Sequence, residues 1–561
     1  MPRPRSGSLI RRPRSWLAAR RLAIATGLLA ALPVMVSVGR AVARGWLPYD
    51  DRGLGAVRAY DVLSSHPPLV GTYAVYSVAS RPSYSPGPLH YWLLAIPAHI
   101  GPAALVLTVG LVNVVSVIGV VAIAERRGGR VFMFVAAVAV ALTSGSLPPE
   151  ALHDMWEPYL TVLPFTLLIF LCWSLACGEY RLLPLMVLVA SFVVQCHVAY
   201  LPATAGLAAV AAAGLALSRR GAQARPLRRT LVVSAIVGLA CWIAPLVDQA
   251  IHRPGNFVNL CWYALHRGAT VGGDAAWRAV VRVVGIPPWW LRSQLGPPGH
   301  FADLLTQPAA LATASSVAIL LALVVVVAST VRTRDSELAY AAAIALVLCG
   351  SIALVTAGTP QRDGLVLTLS YTIDWGSAVG MWTWLTLVLA VQRRLPATRL
   401  AGQLRVPPTG RPLGFAIGAG LASVAAAGAI VAASIRPDPV AREFPQMRTV
   451  ARRVAASVRG ARAVRLDSGP TFMAYEFTMA ALYALRRDGV APVVPSLAVE
   501  LGGWYGRRGA RPDRLVRVRE TAHRQGAARP GELRVTVAGD PFAVGGPHAV
   551  RDLVVTVSPG A

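Results

Sequence analysis

Apolar and polar positions alternate on a coarse scale along this chain. Runs of roughly twenty apolar residues, the length that crosses a bilayer core, are separated by polar connectors. The first run is 22–39, behind a basic, Pro- and Ser-rich tail at 1–21. Ala41-Val42-Ala43 follows it in the small-x-small form of a signal-peptidase site. The run is longer than a signal h-region, which predicts an uncleaved anchor. Further runs cover 102–124, 131–147, 159–177, 182–201, 202–218, 230–247, 308–330, 338–358, 373–391 and 413–435. The pattern predicts about eleven transmembrane helices. Leu89–Ile100 carries His90 and Pro97 and is too short to span, so an interfacial or re-entrant helix is expected.

Past residue 440 the pattern changes. Val450–Val458 and Phe472–Arg487 have helical spacing. Ala463–Leu466, Val490–Val494, Leu515–Val518, Leu533–Val537 and Leu553–Val557 are short strand candidates. That alternation predicts a small α/β domain over 440–561. The expected fold is an α-helical polytopic membrane protein over 22–435, carrying this C-terminal domain.

Arginine placement gives the orientation. The basic connectors are Arg126-Arg127-Gly128-Gly129-Arg130, Arg219 to Arg229, Arg332 to Arg334 and Arg393 to Arg411. With the tail, they fall on one side of an eleven-helix count, which the positive-inside rule makes cytoplasmic. The outer loops are then 40–88, 148–158, 248–307 and 359–372, and the C-terminal domain is extracytoplasmic. A multi-pass plasma-membrane protein with a cytoplasmic N-terminus is expected.

Composition agrees. The chain is 55% hydrophobic and 14% charged, against about 25% charged in soluble domains. Its net charge of +28 comes from arginine alone, with no lysine. The arginines lie between apolar runs, without the basic groove and interleaved aromatics of nucleic-acid binding. The cysteines (172, 177, 196, 241, 261 and 349) have no zinc spacing and read as core residues.

Candidate chemistry collects in the outer loops. Asp50 and Asp51 lie in Leu47-Pro-Tyr-Asp-Asp-Arg52, just past the first span. Adjacent carboxylates near an interface cost free energy unless water, a cation or a base neutralises them. The same loop brings His66, Arg81, Tyr84 and His90 back to the membrane surface among prolines that stiffen it. The next outer connector holds Glu150, His153, Asp154 and Glu157. Asp154 and Glu157 share a face if the turn is helical. They suit a divalent cation, magnesium or manganese, through oxygen ligands. A solvated helix start favours acids equally. Gln195 and His197 lie at the outer end of an apolar run, where polar groups usually face a cavity. A hydrogen-bonded structural histidine is the plain alternative.

Tyr49-Asp-Asp51, Pro68-Leu-Val-Gly71, Pro86-Gly-Pro-Leu-His-Tyr-Trp-Leu-Leu94, Asp154-Met-Trp-Glu-Pro-Tyr159, Leu163-Pro-Phe165 and Gln195-Cys-His-Val-Ala-Tyr200 together form a pattern. It resembles uncharacterised actinobacterial polytopic proteins of the glycosyltransferase C superfamily. The resemblance covers roughly 40–205, with a similar layout to 435. It implies a catalytic aspartate in the first external loop and a sugar donor on polyprenyl phosphate. The acceptor would be a cell-wall glycan, lipid or protein. Asp-Met-Trp-Glu-Pro stands where the family pattern has Asp-Pro-Trp-Asn-Pro.

The expected reaction is inverting transfer. Asp51, or Asp50, takes the proton of the acceptor hydroxyl as it attacks the anomeric carbon. Arg81, Arg253, Arg292 and Arg362 are candidates for the leaving phosphate. His153, Asp154, Glu157 and His197 orient the acceptor or a metal, and His66, Tyr84 and His90 contact the donor. Trp289 and Trp290, in the long loop 248–307, are placed at the interface over the lipid. Two alternatives stay open: a transporter or lipid flippase, and a non-catalytic scaffold.

Overall fold

In the computed structural model the first apolar run is bent. Pro33 cannot donate the N–H that would continue a helix, and helices α1 (Arg12–Ala30) and α2 (Leu32–Ala43) meet at 50°. The structure describes residues 12–560 apart from 75, 79, 219–223, 267, 293–305, 362–368, 395–410, 437–438, 507–511, 524–527, 530 and 538–549. Residues 1–11 of the basic tail, parts of the arginine connectors at 219–229 and 393–411, Pro297-Pro298 and Arg362 therefore lie outside the described residues.

Helices α3 (Asp50–Asp61) and α4 (Leu89–Ile100) follow, then α5 (Pro102–Ser146). As one rod, the 45 residues of α5 would be about 67 Å long, twice a bilayer core. Gly129, at φ 78° and ψ −176°, breaks it between two arginine-rich turns. Gly101, at its start, lies beside Arg487 of the C-terminal domain. Pro149 and His153, just past its end, share a recess with Phe444 of that domain. Both ends reach the same side, so α5 folds back at Gly129.

The other membrane-region helices are α6 (Val162–Ala176), α7 (Leu183–Cys196), α8 (Leu201–Ser218), α9 (Ala224–Ile251), α10 (Asn256–Leu265), α11 (Gly272–Val284), α12 (Ala310–Thr333), α13 (Ser336–Ala357), α14 (Gly376–Arg394) and α15 (Arg411–Ser434). Among the described residues, seven helices are long and apolar enough to cross a membrane, eight with the bent first pair. The eleven expected runs all fall on helix, with two differences. The runs 102–124 and 131–147 are the two limbs of α5. The run 182–201 is interrupted, because His197 turns out of the helix at φ −150° and ψ 124° and leaves α7 only 14 residues long.

Helix α6 is central, with every residue buried. Phe165, Phe170 and Trp173 interlock with Tyr200, Trp375 and Trp382 around it, edge to face. Helix α9 instead exposes Ile236 and Leu239 at 62% and 61%, as a lipid-facing helix does. Trp289 corrects the sequence expectation. It is fully buried against Gly376 on α14, where a larger residue would collide with its ring. Trp290 packs on Gly380 of the same helix.

The C-terminal domain is a five-stranded sheet in the order β2-β1-β3-β5-β4. Strands β1 (Ala463–Ser468), β2 (Ala491–Val493) and β3 (Arg514–Ala522) pair in parallel, while β4 (Glu532–Val537) and β5 (Arg551–Pro559) add antiparallel. Helices α16 (Phe444–Ser457) and α17 (Phe472–Arg487) supply its apolar layer. Helix α17 crosses α3 so closely that a Cβ on Gly53 would meet that of Met479 at 2.7 Å. Buried Arg58 of α3 donates to the carbonyls of Leu501 and Val70, at 2.9 and 3.2 Å. Asp61 accepts from Arg486 and from the Tyr505 hydroxyl. These bonds hold the domain against the end of α3, and the Gly53–Met479 approach brings it to the start, where the acidic pair sits.

Candidate active site

Tyr49 is extended and Asp50 takes φ 48°, a left-handed value that aspartate tolerates better than most residues. This turn starts α3 and places both carboxylates and Arg52 at one helix end. Arg52 donates to Asp154 at 2.7 Å and pairs with Asp50 at 3.3 Å. Its guanidinium lies over the rings of Tyr49 and Trp156, at 4.9 and 5.1 Å. Asp154 is fully buried, and its other oxygen accepts the Trp156 N–H at 3.0 Å. Both its oxygens are engaged, so it fixes Arg52 and the turn around it.

Glu157 is held separately. The Thr72 hydroxyl donates to it, and His90 Nε2 lies 3.0 Å away. Thr72 in turn meets the Tyr91 hydroxyl at 2.9 Å.

Asp51 differs from its neighbours. It is half-buried, and among the described residues no hydrogen bond or ion pair meets its carboxylate. Burial, then the charges of Asp50, Glu157 and Glu500, push its carboxyl well above the usual range against the pull of Arg52. Burial also raises Asp50, with Arg52 opposing. Glu500 is raised by burial and by Asp50. Tyr371 and Tyr475 are raised by burial and, after it, by the Asp51 charge. The arrangement is a partly desolvated acidic recess with two phenols.

His197 belongs to this recess. Its ring meets that of Tyr371 edge-on at 5.9 Å, and its Nδ1 accepts the Ala199 N–H at 3.2 Å. Tyr371 also packs on Trp156. The structure thus brings Asp50, Asp51, Asp154, Glu157, His90 and His197 together. His153 turns away: its Nδ1 meets Ser37 Oγ of α2 at 2.8 Å. Burial pushes its imidazole down to about 4, so it is uncharged at neutral pH.

His66 and Tyr84 hold the domain in place. His66 stacks on Trp504 at 4.3 Å, and the Tyr84 hydroxyl donates to the Val499 carbonyl at 2.7 Å. Arg81 lies over Trp262, Arg253 is exposed, and Arg292 donates to the Pro287 carbonyl. The cation that lies at the carboxylates is Arg52. Its place directly after the acidic pair was a usable signal. Glu500, Tyr371 and Tyr475 reach the recess from distant parts of the chain, and no local pattern marks them.

Asp154 and Glu157 do not suit the divalent cation considered above. One is committed to Arg52, the other to Thr72 and His90. Among the described residues no group of three His, Cys, Asp or Glu side chains is arranged to hold a metal.

No protein-family model matches the chain, and no curated protein matches it. A solved structure that matches is that of the Archaeoglobus fulgidus oligosaccharyltransferase in complex with zinc and sulfate. The identity is 10% and the TM-score 0.36, over 87% of this chain and 67% of that one. A likeness at that level assigns no residue and no reaction to this chain.

Proposed function

We propose that this chain is a membrane glycosyltransferase of the glycosyltransferase C type, related to the actinobacterial polytopic subgroup. It moves a sugar from polyprenyl phosphate to a cell-envelope glycan, lipid or protein at the outer face of the plasma membrane. The observation that carries this reading is the contrast between two adjacent carboxylates. Asp50 is paired with Arg52, whereas among the described residues Asp51 has no partner and its proton affinity is raised further than that of Asp50. A carboxylate so placed suits a general base.

In the proposed step, Asp51 takes the proton of the acceptor hydroxyl. The acceptor oxygen forms a bond to the anomeric carbon as the bond to the phosphate oxygen breaks. The phosphate leaves with the electron pair, and the anomeric centre inverts. Arg52, fixed by Asp50 and Asp154, keeps the start of α3 in register and is the nearest cation to the developing negative charge.

The test uses the purified full chain in lipid nanodiscs with a panel of polyprenyl-phosphate sugars. Transfer is expected from at least one donor, and Asp51→Asn is expected to abolish it with the protein still folded. Full activity in both single variants, Asp50→Asn and Asp51→Asn, would falsify the mechanism.

A further inference from the structure

A second polar recess lies where α2 and α15 meet the C-terminal domain. Ser37, Arg40, Arg44, Trp46, His153 and Arg436 line it, with apolar walls that include Ile435 and Phe444. Among the described residues no carboxylate lines it. Arg40 donates to the Ile435 carbonyl at 3.0 Å, which ties α2 to the end of α15 and leaves its other N–H groups available. Arg44 and Arg436 are exposed.

Two buried ring nitrogens at this recess lack a partner. Trp46 is 3% exposed and His153 5%, yet among the described residues Trp46 Nε1 and His153 Nε2 meet no hydrogen-bonding group. Buried polar atoms are normally satisfied, and an orphan calls for an explanation. The His153 tautomer follows from its neighbour. The Ser37 hydroxyl is 2.8 Å from His153 Nδ1 and 3.4 Å from the Pro149 carbonyl. The hydroxyl has one proton, and both contacts are made together only when Ser37 donates to Pro149 and His153 Nδ1 donates to Ser37, which leaves Nε2 as the ring's acceptor. Trp46 Nε1 is then an orphan donor at a recess that three guanidinium groups line.

We propose that this recess binds a phosphate group, with Arg40, Arg44 and Arg436 supplying charge and Trp46 supplying a fixed N–H donor. Several donors converging with positive charge, with no carboxylate among the described lining residues, match an oxyanion with several acceptor oxygens. The end of α2 lies where an apolar helix leaves the membrane region, so either a lipid headgroup or free phosphate can reach it. The site is separate from Asp51 and does not require that sugar transfer occur.

The experiment uses the full chain in phosphatidylcholine nanodiscs. Binding of phosphatidic acid is read by native mass spectrometry, and binding of radiolabelled inorganic phosphate by equilibrium dialysis. Saturable binding of either probe is expected. Arg44→Gln, an exposed change that spares the fold, should weaken it roughly tenfold, as loss of one charged hydrogen bond does. Arg40→Gln combined with Arg44→Gln should remove it, while Arg517→Gln on the distant sheet should not. Binding of phosphatidic acid alone assigns the phosphate to a lipid, and binding of inorganic phosphate alone to a free ion. Asp51→Asn should bind as wild type, so failure of sugar transfer leaves the recess standing. No saturable binding of either probe, or unchanged binding in folded Arg44→Gln, overturns the proposal.

Discussion

The two polar ends of the helical region use the same residue types in opposite ways. At the end where α5 turns back, Arg127 pairs with Glu179 at 2.8 Å and with Glu337 at 3.2 Å. Arg126 and Arg393 add ion pairs of 2.6 Å each, to Glu179 and Glu337. Burial works against the Glu179 carboxylate. Hydrogen bonds from Ser174 and Arg127, with the charges of Arg126 and Arg127, nevertheless hold it below its usual range. At the other end, the charges of Asp50, Glu157 and Glu500 bear on Asp51, and Arg52 pairs with Asp50 and Asp154. One end is electrostatically satisfied, as a structural network is. The other keeps an unfavourable charge, which is where function is sought.

The largest expected difference between the ends is in activity. Asp51→Asn should lower kcat about 100- to 10,000-fold, the range for loss of a general base. Glu179→Gln should leave kcat unchanged. Equal losses in the two variants would dissolve the distinction.

Next is a stability effect centred on Arg52. Arg52→Leu strands the fully buried Asp154. Breaking such a pair typically costs about 3–5 kcal/mol. Adding Asp154→Leu should recover part of that loss in chemical denaturation. A double variant no better than the single one would mean that Asp154 is not left uncompensated.

Much of this contrast was legible in the sequence. The apolar runs anticipated the helices because a lipid-exposed backbone has to satisfy its own hydrogen bonds, which ties run length to helix length. The period change past 440 anticipated every strand of the C-terminal sheet. Asp50 and Asp51 were visible because two acids beside an apolar run need an explanation. Proximity in space was not visible. Tyr475 reaches Asp51 because α17 docks on α3 through Gly53 and Met479, and Glu500 because the turn Ala498–Leu501 is held on α3 by Arg58. The four arginines proposed for phosphate were chosen by loop membership, and the described ones have partners away from the carboxylates or face solvent. His153 was grouped with Asp154 by adjacency, but successive side chains at the end of a short helical turn point in different directions.

The third prediction concerns the sign of a pH dependence. Asp51 has a folded-state pKa above its unfolded value. Its contribution to stability is fully present below the unfolded pKa of roughly 4 and is lost as pH rises through the folded value. At neutral pH, above the unfolded value, the raised proton affinity therefore costs stability, and Asp51→Asn should raise Tm while removing activity. The gain should vanish on acidification to the ordinary carboxylate range.

The smallest effect is the mirror image of that one. Glu179 is held below its usual range, so its stabilisation is present above the unfolded pKa of roughly 4.3 and is lost as pH falls through the folded value. Its side chain is 26% exposed, which keeps the contribution modest despite two arginine partners. Glu179→Gln should cost about 1 kcal/mol at pH 7 and progressively less in acid. Measured together by thermal unfolding from pH 7 down to well below the ordinary carboxylate value of roughly 4, the two variants should depart from wild type in opposite directions at neutral pH, with Asp51→Asn converging on it near that value and Glu179→Gln only below it. If Asp51→Asn destabilises at neutral pH as Glu179→Gln does, then the Asp51 carboxylate is stabilised in the fold, and its assignment as a base with raised proton affinity fails with it.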